Sequence, residues 1–328
     1  MKGRMTIKDF AELIGVSTAT VSRAFSGRGR INEETRQQII ARANEVGYRV
    51  NVHARTLGAG KSNLIALFYP SLEEEEPDYF ISEIMQGVSQ TLTRENKTLQ
   101  IHPFISGSND IGRCLDNILG GMYSGIIIVS GSKESEELRI TAESNKIPYV
   151  VIGHMPGEPV NSVTFNNERG AELAGRYFRA TGRKKPAYVS GYLDKRKKDG
   201  FKKGLAELAD NLFITGSGGS FRHGTQAYNL LMREHPDVDC VLCANDVLAM
   251  GLLRAAIENG RKVPEELAVI GFDDISMAGF YNPAISSISL HLYDIGETAV
   301  KLLCRIMNGE KITHPENIEC DLILRESS

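Results

Sequence analysis

Residues 6–25 read TIKDFAELIGVSTATVSRAF. This stretch predicts two short helices joined by a turn. Thr6 and Asp9 have the spacing of a capping box, and apolar residues follow at helical intervals. Gly15 interrupts that pattern, and Ser17 can cap the second helix. Two short helices that flank a glycine-containing turn form a candidate helix-turn-helix, so this stretch sets the expected fold of the amino-terminal segment.

The second helix is expected to present small hydroxyl side chains and one arginine to solvent. Small residues let a helix enter the major groove of DNA, where Arg23 can donate two hydrogen bonds to a guanine edge and Ala19 can contact a thymine methyl group. The hydroxyls of Thr20 and Ser22 suit phosphate oxygens. Asn32 is expected to cap a third helix. From spacing alone, a three-helix packing unit without a DNA role is an equal alternative.

Charge is distributed unevenly along the 328 residues, whose formal net charge is −3. Residues 1–60 contain ten Lys and Arg against five Asp and Glu, a net charge of +5, and the remainder carries −8. A basic segment on an acidic body is expected when only that segment meets a polyanion.

Composition indicates an ordinary globular protein. Hydrophobic residues make up 41% and charged residues 24%, which excludes collagen-like and wholly disordered chains. The apolar runs are far shorter than the ~20 residues that span a bilayer, and residues 1–20 have no signal-peptide pattern. The five cysteines cannot all pair, which suits a reducing compartment. We therefore expect a cytoplasmic protein.

After Lys61, the sequence has the pattern of an alternating α/β core. Apolar runs, most of them separated by amphipathic helical stretches, predict a doubly wound parallel sheet. A length of roughly 270 residues is long for one such unit, so we expect two lobes. The predicted strands are 64–69, 99–104, 125–129, 149–152, 187–189, 240–243, 267–272 and 285–290.

Polar and aromatic residues follow several of these strands. Binding sites in open α/β sheets gather at the carboxyl ends of strands, so these residues are candidates for one site. Carboxylates accept paired hydrogen bonds from vicinal hydroxyls, and aromatic faces cover the apolar side of a sugar ring. The mixture suits a polyol. The candidates are Ser71, Tyr79, Phe80, Ser130, Asn245 and Asp273.

The amino-terminal segment resembles the head of the lactose/galactose repressor family. The resemblance is carried, in the family's order and spacing, by residues 6–11, 15–17, 20–23, 33–36 and 47–48. It implies that Thr18, Ala19 and Arg23 read bases. Together with the residues argued above, the expected DNA contacts of the head are Thr6, Ser17, Thr18, Ala19, Thr20, Ser22, Arg23, Asn32 and Tyr48.

The next segment resembles that family's hinge helix through Asn51, Ala54, Arg55 and Leu57. The resemblance implies that two such helices, one from each subunit, lie in the minor groove, where Leu57 wedges between base pairs and kinks the duplex. A segment of about eight residues is too short to be a stable helix alone, so we expect it to order only when paired on DNA. Val50 replaces the family's usual proline, which leaves the backbone less restricted.

The remainder, from Leu64 to the carboxyl terminus, resembles the family's effector domain, whose fold is that of type I periplasmic sugar-binding proteins. The most specific motifs are residues 243–246 and 269–275. The resemblance implies that Asn245 and Asp273 hold ligand hydroxyls and that Phe221 stacks on the ligand. Residues near the pocket, by the same resemblance, are Phe165, Asn166 and His291.

One position departs from the family pattern. Lys197 stands where the family usually has an arginine that contacts ligand, with Arg196 beside it. Lysine lacks the planar fork of arginine, so either the ligand differs from the common neutral sugars or Arg196 substitutes. The basic run at 195–198 favours a solvated surface, with an acidic or phosphorylated sugar as the alternative.

No cofactor, metal site or catalytic residue is predicted. Cys240 and Cys243 have the spacing of a zinc half-site, but no second pair follows at a suitable distance, and both lie in an apolar strand pattern. Asp273 and Asp274 could be the carboxylate pair of an enzyme, but neighbouring side chains at a strand end point apart, and no nucleophile is evident.

The sequence therefore predicts a small all-α helix-turn-helix head, at 1–49, and a hinge helix and linker, at 50–61. An α/β body of the type I periplasmic-binding-protein kind follows at 62–328, with two doubly wound subdomains. The expected N-subdomain covers about 62–160 and 292–322, and the expected C-subdomain covers about 161–291 and 323–328.

From this organisation we expect a homodimeric transcriptional regulator, and the sequence favours a repressor. Its expected partners are a palindromic DNA operator, a small sugar-like effector and a second copy of the chain, with no membrane; on DNA it would lie at the nucleoid. A sugar receptor without a DNA role and an α/β enzyme acting on a sugar are the alternatives.

Overall fold

The structure is a computed structural model that describes residues 5–26, 31–46, 48, 63–71, 77–105, 110–190, 195–216 and 218–328. The chain divides into two compact units between Asn63 and Leu64, which we call the head and the body. The predicted hinge residues Asn51, Ala54, Arg55 and Leu57 lie outside the described residues.

The head contains the three predicted helices: α1 (Ile7–Leu13), α2 (Thr18–Ser26) and α3 (Glu33–Glu45). Thr6 and Asp9 form the expected capping box at α1. The Ser17 hydroxyl accepts the backbone N–H of Thr20 at 3.1 Å, and Asn32 caps α3. The turn at Gly15 has a φ of +68°, a conformation that glycine adopts without a steric penalty.

The head has a small apolar core of its own, which includes Phe10, Val21, Ala24, Ile39 and Ala43. The ring of Tyr48 is 4% exposed and stacks on Phe10, with the ring centroids 4.2 Å apart. The structure therefore gives the Tyr48 ring a packing role, and its predicted contact with DNA stays a prediction.

The body contains two six-stranded sheets. Their strand orders are β11-β5-β4-β3-β1-β2 and β12-β10-β9-β8-β6-β7, and every neighbouring pair is parallel except β10–β12. The strands are β1 (Leu64–Ser71), β2 (Thr98–Ile105), β3 (Gly125–Val129), β4 (Tyr149–Ile152), β5 (Ser162–Phe165), β6 (Pro186–Ser190), β7 (Phe213–Gly216), β8 (Cys240–Cys243), β9 (Ala268–Asp273), β10 (Ser286–Ser289), β11 (Glu316–Ile318) and β12 (Asp321–Ile323).

Nine α-helices are described in the body. They are α4 (Tyr79–Arg94), α5 (Asp110–Leu119), α6 (Lys133–Ser144), α7 (Asn167–Ala180), α8 (Lys195–Leu205), α9 (Phe221–Glu234), α10 (Asp246–Glu258), α11 (Ser276–Phe280) and α12 (Leu292–Met307); a 3-10 helix covers Ala206–Asn211. Of the helices within the described ranges, none is both long and apolar enough to cross a bilayer.

The chain passes between the two sheets three times, after β5, after β10 and between β11 and β12. We call residues 64–165 and 292–318 lobe 1, and residues 166–290 and 319–328 lobe 2. The first crossing lies five residues after the expected boundary at 160, because Ser162 and Val163 pair with β4. The last crossing lies before β12, because β12 pairs with β10 of lobe 2.

Close helix packing fixes α8 against α7. A Cβ atom on Gly200 would collide with the carbonyl oxygen of Glu168, and one on Gly204 would collide with that of Glu172. These glycines let the two backbones approach, which sets the position of Lys197 one turn earlier on α8.

Candidate functional site

One candidate site is the solvent face of α2. Val21 and Ala24 are fully buried on its inner side, while Thr18, Ala19, Ser22 and Arg23 are exposed. The Nε atom of Arg23 donates to the carbonyl oxygen of Ala19 at 3.2 Å. The exposed side therefore carries small side chains and one arginine, which lets a helix enter the major groove.

Several of the predicted DNA contacts also cap helices. The Ser17 hydroxyl lies 2.8 Å from the Thr20 hydroxyl, and Thr6 Oγ1 donates to Asp9 at 2.8 Å. The side chain of Asn32 accepts the backbone N–H of Glu34 at 2.9 Å. Their local structural role is defined, and their contact with DNA stays a prediction.

The second candidate site is an open cleft in the body, with about 490 Å³ of empty space. Lobe 1 supplies Pro77, Asp78, Tyr79 and Phe80, and lobe 2 supplies Gly219, Ser220, Asn245, Asp246, Val247, Asp273 and Ile275. The structure thus brings together Tyr79, Phe80, Asn245 and Asp273 from the sequence-based candidates. The other described candidates do not line this cleft: Ser71, Ser130, Phe165, Asn166, Arg196, Lys197, Phe221 and His291.

Asp273 is the sequence-predicted carboxylate that lines the cleft. It ends β9 with a φ of +101° and is 8% exposed. Burial raises its pKa to about 7, with Lys197 opposing that shift and Asp78 adding to it. A carboxyl group with this pKa exchanges its proton near neutral pH, so it can either accept or donate hydrogen bonds.

Lys197 lies next to Asp273 but does not line the cleft. Its Nζ atom lies 3.9 Å from Asp273 Oδ1, donates to the carbonyl oxygen of Ala244 at 2.8 Å and lies 3.8 Å from the ring centroid of Phe272. Arg196 is exposed. Lys197, and not its neighbour, is the cation that accompanies the cleft carboxylate.

The side chains of Asn245 and Asp246 both form hydrogen bonds to neighbouring turns of the cleft lining. Asn245 accepts the backbone N–H of Leu248 at 2.7 Å and donates to the carbonyl oxygen of Gly219 at 3.0 Å. Asp246 accepts the Ser287 hydroxyl at 2.6 Å and the backbone N–H of Ile275 at 2.8 Å. Burial raises the pKa of Asp246 well above its usual range. Asp246 therefore fixes the turn that follows Asp273.

Sequence reasoning missed Asp78 and Ser220. Asp78 caps α4 by accepting the backbone N–H of Ile81 at 3.0 Å, and burial raises its pKa. Its position just before the candidate Tyr79 could have indicated a place in the cleft. An aspartate that caps a helix, however, has no sequence pattern that marks it as a binding residue. The family resemblance selected Phe221, which begins α9, as a ligand contact and not its neighbour Ser220.

Three other candidates lie at or near the crossings between the lobes. The ring of Phe165 lies edge-on to Phe80, with the centroids 6.5 Å apart. Asn166 caps α7, and its backbone carbonyl accepts from the Cys320 thiol. His291 Nε2 lies 2.8 Å from Asp321 Oδ2. Asn166 and His291 thus have partners within the crossings.

Comparison with known proteins follows this division of the chain. Residues 6–51 match the model of the bacterial regulatory proteins, lacI family, and residues 155–328 match a periplasmic binding protein-like domain. The HTH-type transcriptional regulator GntR of Pseudomonas aeruginosa is 30% identical over 99% of this chain and 96% of its own length. Catabolite control protein A of Staphylococcus epidermidis is 30% identical over 96% of both chains.

Solved structures share the fold. A Lac repressor dimer bound to operator and the anti-inducer ONPF superposes with a TM-score of 0.85 at 23% identity, over 99% of both chains. A complex of the transcriptional regulator CelR with cellobiose gives a TM-score of 0.72 at 26% identity, over 99% of this chain and 100% of that chain. This chain therefore belongs to the lacI family of bacterial regulatory proteins, as a transcriptional regulator with a DNA-binding head and a body of the sugar-binding type.

Proposed function

We propose that this regulator is a repressor that binds a palindromic operator as a homodimer, in the cytoplasm, and that a small polyol in the body cleft controls its affinity for DNA. The observation that carries the proposal is the origin of the cleft lining. Tyr79 and Phe80 come from lobe 1, while Asn245 and Asp273 come from lobe 2. A molecule bound between them contacts both lobes and so can change their relative orientation.

The head would read DNA through α2. Arg23 has the length and donor pattern for a guanine edge, and Ala19 and Thr18 leave room for the helix in the groove. Two-fold symmetry of the dimer would match the two halves of a palindrome. Leu57 would act as the wedge at the centre of the operator, as the family resemblance implies.

The effector would be rich in hydroxyl groups. Asp273 can accept hydrogen bonds from neighbouring hydroxyls, and the second N–H of the Asn245 amide can donate one. Tyr79 and Phe80 supply aromatic surface for the apolar side of a ring. The CelR structure contains cellobiose, which is a ligand of this chemical class.

Effector and operator would be coupled reciprocally. If the effector changes operator affinity by a given factor, the operator changes effector affinity by the same factor. The coupling would pass through the lobe orientation, which sets the spacing of the two linkers and so favours or opposes pairing of the hinge helices.

The test is fluorescence anisotropy of a labelled palindromic duplex with a central CG step, at fixed salt because phosphate contacts make affinity steeply salt-dependent. Titrations are run with and without a pool of sugars, sugar phosphates and nucleosides. Release of the duplex identifies an inducible repressor, and tighter binding identifies a corepressor.

The matched variants are Asp273→Ala and Asp237→Ala. Asp237 is an exposed carboxylate just before β8, at the opposite end of that strand from the cleft. We expect Asp273→Ala to bind the operator and lose the response to the pool, while Asp237→Ala keeps both. A fully responsive Asp273→Ala protein would contradict the cleft assignment, and failure of the wild type to select any operator from random DNA would contradict the regulator proposal.

A further inference from the structure

A hydrogen bond joins the two lobes away from the three crossings. The backbone N–H of Ser276, the first residue of α11 in lobe 2, donates to Glu83 Oε1 on α4 of lobe 1 at 2.8 Å. The two residues are 193 positions apart in the chain. Neither lies in a segment that crosses between the lobes, so this bond depends on how the lobes face each other.

We propose that Glu83 is a positioning residue that clasps lobe 1 to lobe 2 and sets how readily the effector cleft opens. This inference rests on the proposed function, because it concerns the regulation of the same cleft. Glu83 lies one helical turn after Tyr79 and Phe80 on α4, and Ser276 lies three residues after Asp273. On the lobe 1 side the clasp and the cleft lining therefore share α4, and on the lobe 2 side the clasp lies just after the strand that carries Asp273.

The donor end of the clasp moves with lobe 2. Asp246 binds the backbone N–H of Ile275 and the hydroxyl of Ser287, and that hydroxyl also accepts the backbone N–H of Asp274 at 3.1 Å. These bonds tie the turn before Ser276 to α10 and β10. The Ser276 N–H cannot follow Glu83 by a local shift of the turn without breaking them.

The acceptor end moves with lobe 1. A Cβ atom on Gly87 of α4 would collide with the carbonyl oxygen of Tyr293 in α12, and one on Gly296 would collide with that of Ile84. The two helices therefore pack backbone to backbone. With both ends fixed in their own lobes, the Glu83–Ser276 bond breaks when the lobes separate at this edge.

Charge in the cleft acts against the clasp. Asp78 of lobe 1 and Asp273 of lobe 2 line the same cleft, and the Asp78 charge raises the pKa of Asp273. Two ionised carboxylates on opposite walls repel each other when the walls approach. Lys197 beside Asp273 reduces this repulsion, and the clasp acts against what remains of it.

Three variants separate the clasp from general destabilisation. Glu83→Ala removes the acceptor, while Glu83→Gln keeps an acceptor oxygen at the same distance from the backbone. Ser276→Pro removes the donor. Proline suits this site, because Ser276 is the first helical residue and Ile275 has an extended ψ of 150°. Glu137→Ala, an exposed glutamate on α6 of lobe 1, is the control.

The readout is the distance between the lobes of the full chain without ligand or DNA, from pulsed electron double resonance. Spin labels are attached through Ser144→Cys in lobe 1 and Glu207→Cys in lobe 2, both exposed. The background carries Cys304→Ser, since the other four cysteines are buried. Labelled chains are diluted with excess unlabelled chain, so that distances within one subunit dominate.

We expect Glu83→Ala and Ser276→Pro each to lower the ratio of closed to open lobes about fivefold, the effect of losing one net hydrogen bond at a partly exposed site. Glu83→Gln and Glu137→Ala should leave the ratio within about twofold. Because both changes remove the same bond, the double variant Glu83→Ala/Ser276→Pro should match either single variant.

Unchanged distances in either single variant, or a double variant whose effect is the product of the two, would overturn the clasp. Operator affinity is measured on the same proteins by anisotropy. A shift in lobe distance with unchanged operator affinity would leave the clasp standing and refute the proposed coupling of lobes to DNA, so the two failures are distinguishable.

Discussion

Asp273 combines two unfavourable features in one residue. Its φ of +101° lies in a region that residues with a Cβ rarely adopt, and its carboxylate is removed from water. The bonds of Asp246 to the following turn and the nearby charge of Lys197 offset these costs. Such a residue persists where the surrounding structure determines it, which is common at ligand sites.

The raised pKa of Asp273 makes folding stability depend on pH. Its folded-state pKa of about 7 lies above the reference value of 3.8, so the folded state binds more protons between these values. Asp273 therefore stabilises the body at pH 5 by about 2–3 kcal/mol relative to pH 8, and this contribution is lost as the pH rises through 7. Urea unfolding at both pH values should show a steeper loss in wild type than in Asp273→Asn. Parallel pH profiles would contradict the assignment.

Lys197 gives a second test at this scale. Lys197→Met keeps most of the side-chain volume and removes the charge beside Asp273, so we expect loss of the effector response with operator binding retained. Lys202→Met, an exposed lysine on the same helix, is the control and should respond normally. Anisotropy titrations with the active fraction of the ligand pool measure both, and a normal response in Lys197→Met would show that the charge is dispensable.

The chemistry of the residues alone could not distinguish those that line the cleft from other candidates nearby. The rule that sites gather at strand ends found Asn245 and Asp273 because both follow predicted apolar strands. It also selected Ser130, which follows β3 but does not line the cleft. The choice between Arg196 and Lys197 depends on which side of α8 packs on the sheet, a fact that appears only in three dimensions.

At the scale of elements, we expect α2 to determine which bases the protein selects. We expect Arg23→Ala to cost about 1–3 kcal/mol at one base-pair position and to relax selection there, because a bidentate contact to a base edge is lost. Arg42→Ala on α3, where the arginine pairs with Glu45, is the control and should keep base preference. Binding to a library of single-base operator variants measures both. Unchanged preference in Arg23→Ala would argue against α2 as the reading helix.

Helix α8 tests whether close packing positions Lys197. Gly200→Ala places a methyl group into the Glu168 carbonyl, so we expect about 2–4 kcal/mol of destabilisation and a weakened effector response. Gly112→Ala on α5 is the matched control, because nothing lies within 4 Å of the added atom. It should be neutral or slightly stabilising, since alanine favours helix. Urea unfolding compares them, and equal stabilities would refute the packing argument.

Elements were predictable where capping or apolar runs are strong. Capping patterns predicted all three head helices, and the eight predicted strands are present with their ends shifted by at most two residues. The strands β5, β7, β11 and β12 were not predicted, because none of them forms a continuous apolar run. Ser162 and Thr164 interrupt the apolar pattern of β5, and the residues of β11 are not buried.

At the scale of the whole molecule, the two heads of the proposed homodimer should require a fixed spacing of half-sites. Inserting five base pairs between the halves rotates one half-site by about half a helical turn, so we expect a loss of specific affinity of at least about tenfold. The same insertion outside the operator is the control and should have no effect. Anisotropy at fixed salt measures both duplexes, and equal affinity would contradict a rigid two-headed arrangement.

The three crossings have a consequence for biosynthesis. Lobe 1 is completed by α12 and β11, which follow the whole of β6 to β10 in the chain, and lobe 2 is completed only by β12 and Ser327, whose hydroxyl donates to the Val269 carbonyl at 2.6 Å. Neither lobe can reach its final packing on the ribosome while the other is still unmade. Nascent chains that have not reached residue 316 expose the edge of β5, so this protein should depend on chaperone protection until β11 has been made.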